Sequence, residues 1–431
     1  MPTIHNLTKP VLTRPPRRRP PAPNYWLRRG AFASISALLV AGAAYAWEQR
    51  RAAAQAERLA SEAARPLVGA VSQTVYERGL VVRNTGANSV LREHGAFYFN
   101  VTRRVSSGLV LGFVSPWSLR GEELAWRFAS KFTHLSPMLY GVDASGRLTA
   151  FEDEAWLATL RQGLSCPACP PPARLVPLIT LAGADLSRLF GADEAEEHAG
   201  AEHAGRLLVA LLHAAATHSL DGYVLDAHTH LASVQSAQVR ARCARALHLF
   251  VQLLAAKLSE LENAAELLLL VPPHPALFSP EQFAQLAVPL GGIIVSTTNY
   301  SAIKGDPGPS SPLGWMREAL GALQPDQVTT PKLLATLPML GWDFPLPNGS
   351  PRALDAASYL ALLKAHRPAR FEWLHEAAEH SFTYELNGTR HAVYYPSLKG
   401  VAERLGMLRN LGVGVALWEL GTGLDYFFDL L

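Results

Sequence analysis

The sequence predicts an α/β fold, a closed (β/α)8 TIM barrel, over residues 77–431. Three observations carry that expectation. Eight short apolar runs alternate with longer helical stretches, as the strands and crossover helices of a parallel sheet do. Most of the runs are near-continuously apolar, as strands covered on both faces must be. Several end in Trp, Asp, His or Asn, residue types suited to the C-terminal strand ends where such barrels hold their sites.

The elements follow in chain order. Residues 1–29 are a basic arm that includes Arg17, Arg18, Arg19, Arg28 and Arg29. Residues 30–47 carry no charge, are nearly long enough to cross a bilayer, and are bracketed by Tyr25, Trp26, Tyr45 and Trp47, the residue types that settle at membrane interfaces. They predict a signal anchor, or a signal peptide cut after Ala44-Tyr45-Ala46, so the membrane is an expected partner through this segment. The basic flank leaves the N-terminus cytosolic. The barrel is then expected in the secretory pathway, either on a single-pass type II membrane protein or secreted, in a luminal, lysosomal or extracellular setting. Four sequons, at Asn100, Asn299, Asn348 and Asn387, are compatible with that route. Residues 48–76, rich in Ala, Arg, Glu and Gln, read as a stalk.

The predicted strands are Leu109–Val114, Lys131–Met138, Arg174–Leu181, Gly222–Ala227, Ala265–Val271, Gly291–Thr297, Lys332–Leu337 and Val413–Trp418. The gap between the seventh and eighth is far longer than an ordinary connection. A helix near 356–365 and strand-like pieces at Ser381–Leu386 and His391–Tyr395 make it a small α+β insertion over the barrel mouth.

Charge and cysteine content exclude several classes. Of 39 Lys and Arg and 36 Asp and Glu, ten and three fall in residues 1–64, which leaves 29 basic and 33 acidic residues in the remainder. A mildly acidic barrel lacks the basic face that phosphates require, so no nucleic-acid partner is expected. Three cysteines, Cys166, Cys169 and Cys243, cannot staple a fold of this size, and the Cys166–Cys169 pair is half of a zinc site without a second pair. No metal or other cofactor is expected.

The chemistry-bearing residues lie on the fourth strand, where Asp221-Gly222-Tyr223-Val224-Leu225-Asp226-Ala227-His228 resembles the Asp-Gly-x-Asp-x-Asp-x-Glu signature of glycoside hydrolase family 18. Around it, Arg78–Val82, Gly112–Trp117, Ser130–Thr133, His366–Pro368 and Trp418–Tyr426 extend the resemblance, through a chitinase-like member of that family, over nearly all of Glu77–Leu431. The resemblance implies a barrel whose pocket takes amino-sugar oligosaccharides. In that family a Glu protonates the glycosidic oxygen while the acetamido group of the sugar attacks the anomeric carbon.

Alternation along a strand would place Val224, Asp226 and His228 at the three carboxylate positions facing the pocket. Only Asp226 remains, with His228 in place of the acid. Thr298-Asn299 stands where the family has a Tyr-Asp pair that contacts the acetamido group. The site is therefore read as degenerate at Val224, Asp226, His228, Thr298 and Asn299, with no catalytic residue assigned. His228 is expected to be a pocket-lining or core residue hydrogen-bonded to Asp226. Saccharide contacts are expected from Trp117, Tyr140, Asp226, His228, Tyr300, Trp342 and Trp418, since sugar C–H faces pack on aromatic planes. Trp418 matches the Trp that forms the family's pocket floor. The resulting expectation is a carbohydrate-binding, chitinase-like protein without hydrolytic activity. Two alternatives stay open. One is a glycosidase, chitinase-type or metal-assisted, using His228 and Asp226 or an acid from another strand; the other is a protein-interaction scaffold.

Overall fold

The computed structural model describes residues 69–431, apart from 103–104, 106–107, 152–153, 165–172, 192, 194–195, 348 and 369. The basic arm, the apolar run at 30–47, most of the expected stalk, Cys166, Cys169 and Asn348 lie outside the described residues.

Eight parallel strands close into a barrel: β1 (Val110–Val114), β2 (His134–Val142), β3 (Arg174–Leu175 and Leu178–Thr180), β4 (Gly222–Asp226), β5 (Glu266–Val271), β6 (Gly292–Val295), β7 (Leu333–Pro338) and β8 (Gly414–Trp418). Closure runs through β8 on β1, with Val415 opposite Val110, and β1 on β2, with Leu111 opposite His134. The two pieces of β3 flank Val176-Pro177, where proline has no N–H for the ladder. Helices fill every crossover, and several begin at caps written in the sequence. Ser118 Oγ accepts from the Gly121 N–H, and Ser279 with Gln282 forms a capping box behind Pro280.

The strands are apolar on both faces because each face meets a different core. Leu111, Phe113, Val176, Leu178, Val224, Leu268, Leu270, Ile294, Leu334 and Ala416 fill the barrel interior. Their neighbours, such as Tyr223, Leu225, Leu267 and Leu269, point outward to helix residues including Leu247, Val251, Phe283 and Met316. The N-terminal end is closed by Glu266, which meets His134 at 2.8 Å and Arg174 at 3.0 Å. The opposite end is left for function.

The packed fold begins ahead of residue 77. Ala70–Val71 pairs with Phe97–Tyr98, and Val75 is fully buried. Between β7 and β8 the expected insertion is a five-stranded antiparallel sheet, in the order Arg352–Leu354, Gly341–Pro345, Thr389–Tyr394, Glu379–Leu386 and Glu372–Leu374, with the helix Ala356–His366. Its central hairpin turns on Asn387-Gly388, both at positive φ (51° and 77°), the backbone that an Asn-Gly pair supplies at least cost. Among the described residues no helix is long and apolar enough to cross a membrane.

Candidate functional site

The barrel mouth is built from the last inward-facing residue of each strand. On β4, Val224 is fully buried in the barrel interior, and two residues on Asp226 reaches the mouth. There the strand ends. Ala227 leaves extended geometry (φ −124°, ψ −43°) and residues 228–233 form a 3-10 helix. The expected alternation through His228 is therefore broken. His228 is 0% exposed, packs edge-on against Phe278 at 5.1 Å, and neither ring nitrogen has a hydrogen-bond partner among the described residues. Burial, with His248 nearby, drives its pKa down to about 3, and the Asp226 carboxylate offsets only part of that. His228 is a neutral core residue rather than a pocket residue, and the expected hydrogen bond to Asp226 is not formed.

Asp226 instead takes its partners from the 3-10 turn, where residues three and four ahead come back over the strand end. Thr229 Oγ1 donates to Oδ1, and His230 Nε2 lies 3.1 Å from Oδ2 and 3.2 Å from Thr180 Oγ1. A carboxylate accepts only, so Nε2 carries the proton in that bond. His230 and Thr180 thus join Asp226 in the candidate site, and neither is among the expected saccharide contacts. An Asp with a His four residues on was the available signal, but it acts only once the strand has become a helix. The same turn takes His228 away from Asp226 and His230, so Asp226, His228 and His230 do not line one strand face as a shared set of metal ligands would. Among the described residues, no group of three His, Cys, Asp or Glu is placed to share a metal ion.

On β8, Trp418 follows Ala416 on the inner face, half-buried, its ring 4.7 Å from Phe113. Beyond it, burial raises the Glu419 pKa, with the Ser115 hydroxyl at the end of β1 opposing. Glu419 is thus a second carboxyl at the strand ends, on the opposite side of the barrel from β4. The sequence reading passed over it because it faces no signature position.

The remaining candidates divide. Trp117 follows β1 and is 46% exposed, and Trp342 opens the insertion sheet, half-buried, with an indole N–H that is buried and unpartnered among the described residues. Tyr140 does not face the mouth: the β2 register shifts between Met138 and Tyr140, turning the ring outward onto Tyr223 at 6.1 Å. Tyr300 is also directed to the shell. Asn299 adopts a left-handed conformation (φ 62°), and Tyr300 then packs on Trp315 of the helix Leu313–Gly321 at 4.8 Å, under Lys304. Thr298 is buried, and the Asn299 N–H donates to Ser310 Oγ at 2.9 Å. The structure thus keeps Asp226, Trp418, Trp117 and Trp342 at strand ends and takes His228, Tyr140 and Tyr300 into packing.

No protein-family model matches the sequence. The fold, however, is shared with solved structures. The spore cortex-lytic enzyme SleL of Bacillus cereus aligns with a TM-score of 0.59 at 16% identity, covering 76% of this chain and 74% of that one. A chitinase from Chromobacterium violaceum gives 0.58 at 18%, over 75% and 98%. A glycoside hydrolase family 18 N-acetylglucosaminidase from Paenibacillus barengoltzii gives 0.57 at 15%, over 75% and 100%. The protein is a (β/α)8 barrel. More narrowly, its barrel fold is shared with these three structures, and in this chain an insertion precedes the last strand.

Proposed function

We propose that this chain is a saccharide-binding, chitinase-like barrel that does not hydrolyse its ligand, and that an amino-sugar or chitin-like oligosaccharide sits at the mouth against Trp418. The observation that carries the reading is the turn after Asp226. The family acid's position is held by a fully buried, neutral His228, and the one retained carboxylate is already bonded to Thr229 and His230. A half-buried Trp and a fixed carboxylate suit sugar stacking and hydroxyl recognition. The sequence pieces from Arg78 to Tyr426 resemble chitinase domain-containing protein 1, the stabilin-interacting chitinase-like protein, and the reading places this chain in that group. It also places the barrel on the luminal or extracellular side of a membrane, delivered by residues 30–47.

The test is a paired measurement on purified protein with N-acetylglucosamine oligomers. Binding is expected without detectable cleavage, because loss of a general acid alone costs about 10² to 10⁴ in rate. Wild-type turnover abolished in Glu419→Gln would support the second reading, a glycosidase drawing its acid from β8. That reading rests on the raised pKa of this buried carboxyl. No saccharide binding of any kind would leave a scaffold.

A further inference from the structure

A groove of about 510 Å³ lies outside the barrel, lined by Arg83, Asn84, Arg370, Phe371, Glu372, Trp373 and His375. It forms where the N-terminal segment crosses the edge strand of the insertion sheet. The Phe371 N–H donates to the Thr85 carbonyl at 2.9 Å, and His380 Nε2 donates to the Arg83 carbonyl at 2.9 Å. These two bonds hold the walls in register, and no barrel strand contributes to the lining. Volumes of this order are typical of small-ligand sites.

The lining has a definite chemistry. Arg83 and Arg370 are exposed, and among the described residues neither guanidinium lies within ion-pair distance of a carboxylate. That is notable in a region with more acidic than basic residues. Beside Arg83 lies Trp373, half-buried and braced edge-on by His380 at 4.7 Å, with the Arg83 guanidinium 5.7 Å from the ring centroid. Its indole N–H is buried and unpartnered among the described residues. Glu372 and Asn84 add acceptors to the same wall.

We infer that this groove is a second binding site, specific for a carboxylate-bearing saccharide. The guanidinium forks match a carboxylate, and the half-buried indole of Trp373 supplies an apolar plane for a sugar ring. Glu372 and Asn84 accept from ring hydroxyls, donors that a sugar presents and an inorganic polyphosphate lacks. Nucleic acid is disfavoured for want of a basic tract. The site is independent of the barrel mouth and of the reading given to it.

The experiment uses the full chain, titrated calorimetrically in about 0.15 M salt with a galacturonate tetramer, a heparin tetramer and an N-acetylglucosamine tetramer. The galacturonate tetramer should bind. The exposed double variant Arg83→Gln/Arg370→Gln and, separately, Trp373→Ala should each weaken it at least tenfold, while Trp418→Ala leaves it unchanged. Because Trp373 also packs on His380, Trp373→Phe is included and should retain part of the affinity. Failure of the wild type to bind galacturonate overturns the proposal, as does unchanged affinity in the double arginine variant. Preference for heparin by the wild type overturns the assignment to carboxylates. Loss in the arginine variant with none in Trp373→Ala reduces the groove to non-specific charge attraction and overturns it as a saccharide site.

Discussion

His228 has a measurable consequence beyond its absence from the mouth. The folded protein holds it neutral with a pKa near 3, while the unfolded chain restores it to about 6.5. A depressed folded pKa means that the unfolded state binds the proton first. The contribution to stability is therefore complete above pH 6.5 and falls by about 1.4 kcal/mol per unit as the pH drops toward 3. By pH 5 the loss is about 2 kcal/mol. His228→Phe removes that proton and also two buried, unpartnered nitrogens, each of which costs on the order of 1 kcal/mol or more. Urea unfolding at pH 7.5 and 5.0 should show the variant at least as stable as wild type at the higher pH, with a larger margin at the lower. Equal pH dependence in the two proteins would mean that His228 is hydrated or hydrogen-bonded. Trp418 is the complementary residue. Trp418→Ala should weaken oligosaccharide binding about tenfold, since desolvated stacking contributes on the order of 1 kcal/mol beyond area. Its contact with Phe113 predicts some loss of stability as well, so Trp418→Phe is the control that preserves packing. A folded Trp418→Ala that binds like wild type would move the site off β8.

At the scale of elements, one buried side chain gathers several of the bonds that tie the insertion to the barrel. Arg404, on the helix Leu398–Leu411, is 2% exposed and donates to the carbonyls of Ser311, Ala377, Ala378 and Gly400, with Glu379 at 3.2 Å. Burial raises the Glu379 pKa and lowers that of Arg404, each countered by the other's charge. Arg404→Met leaves a buried carboxyl and several carbonyls unserved and should cost about 3–5 kcal/mol. Arg404→Lys should recover little, because an ammonium lacks the five-donor fork. Thermal unfolding of the two variants checks this; a Lys variant as stable as wild type would show that the charge alone matters. These same elements show what the sequence could reveal. All eight strands were legible, since apolar runs buried on two faces look alike whatever surrounds them. The insertion was legible from its length and from the aromatic alternation at 381–395. What could not be read was where a strand stops. The end of β4 at Asp226, the left-handed turn at Asn299 and the register shift before Tyr140 depend on backbone geometry that alternation does not encode, and they took His228, Tyr300 and Tyr140 out of the site. The groove at Trp373 was invisible because it joins segments almost 290 residues apart.

For the molecule as a whole, the proposed route through the secretory pathway meets a structural condition that can be tested at individual asparagines. Asn387 sits exposed at the tip of the hairpin turn, where an attached glycan meets only solvent. Asn299 is the opposite case. It is half-buried, with Oδ1 buried and the backbone N–H bonded to Ser310, which makes it a poorer glycan acceptor than the hairpin tip. Asn100 is partly buried and accepts from Thr102 within its own sequon at 2.8 Å. If residues 30–47 deliver the barrel to the lumen, the full chain synthesised with microsomes should shift in mobility on removal of N-glycans. Asn387→Gln should reduce that shift, and Asn299→Gln should reduce it less. Protease added outside sealed vesicles should spare the barrel. No shift, together with digestion of the barrel in intact vesicles, would overturn the luminal assignment. A shift that survives Asn387→Gln but disappears in Asn299→Gln would instead show that Asn299 is the more accessible acceptor.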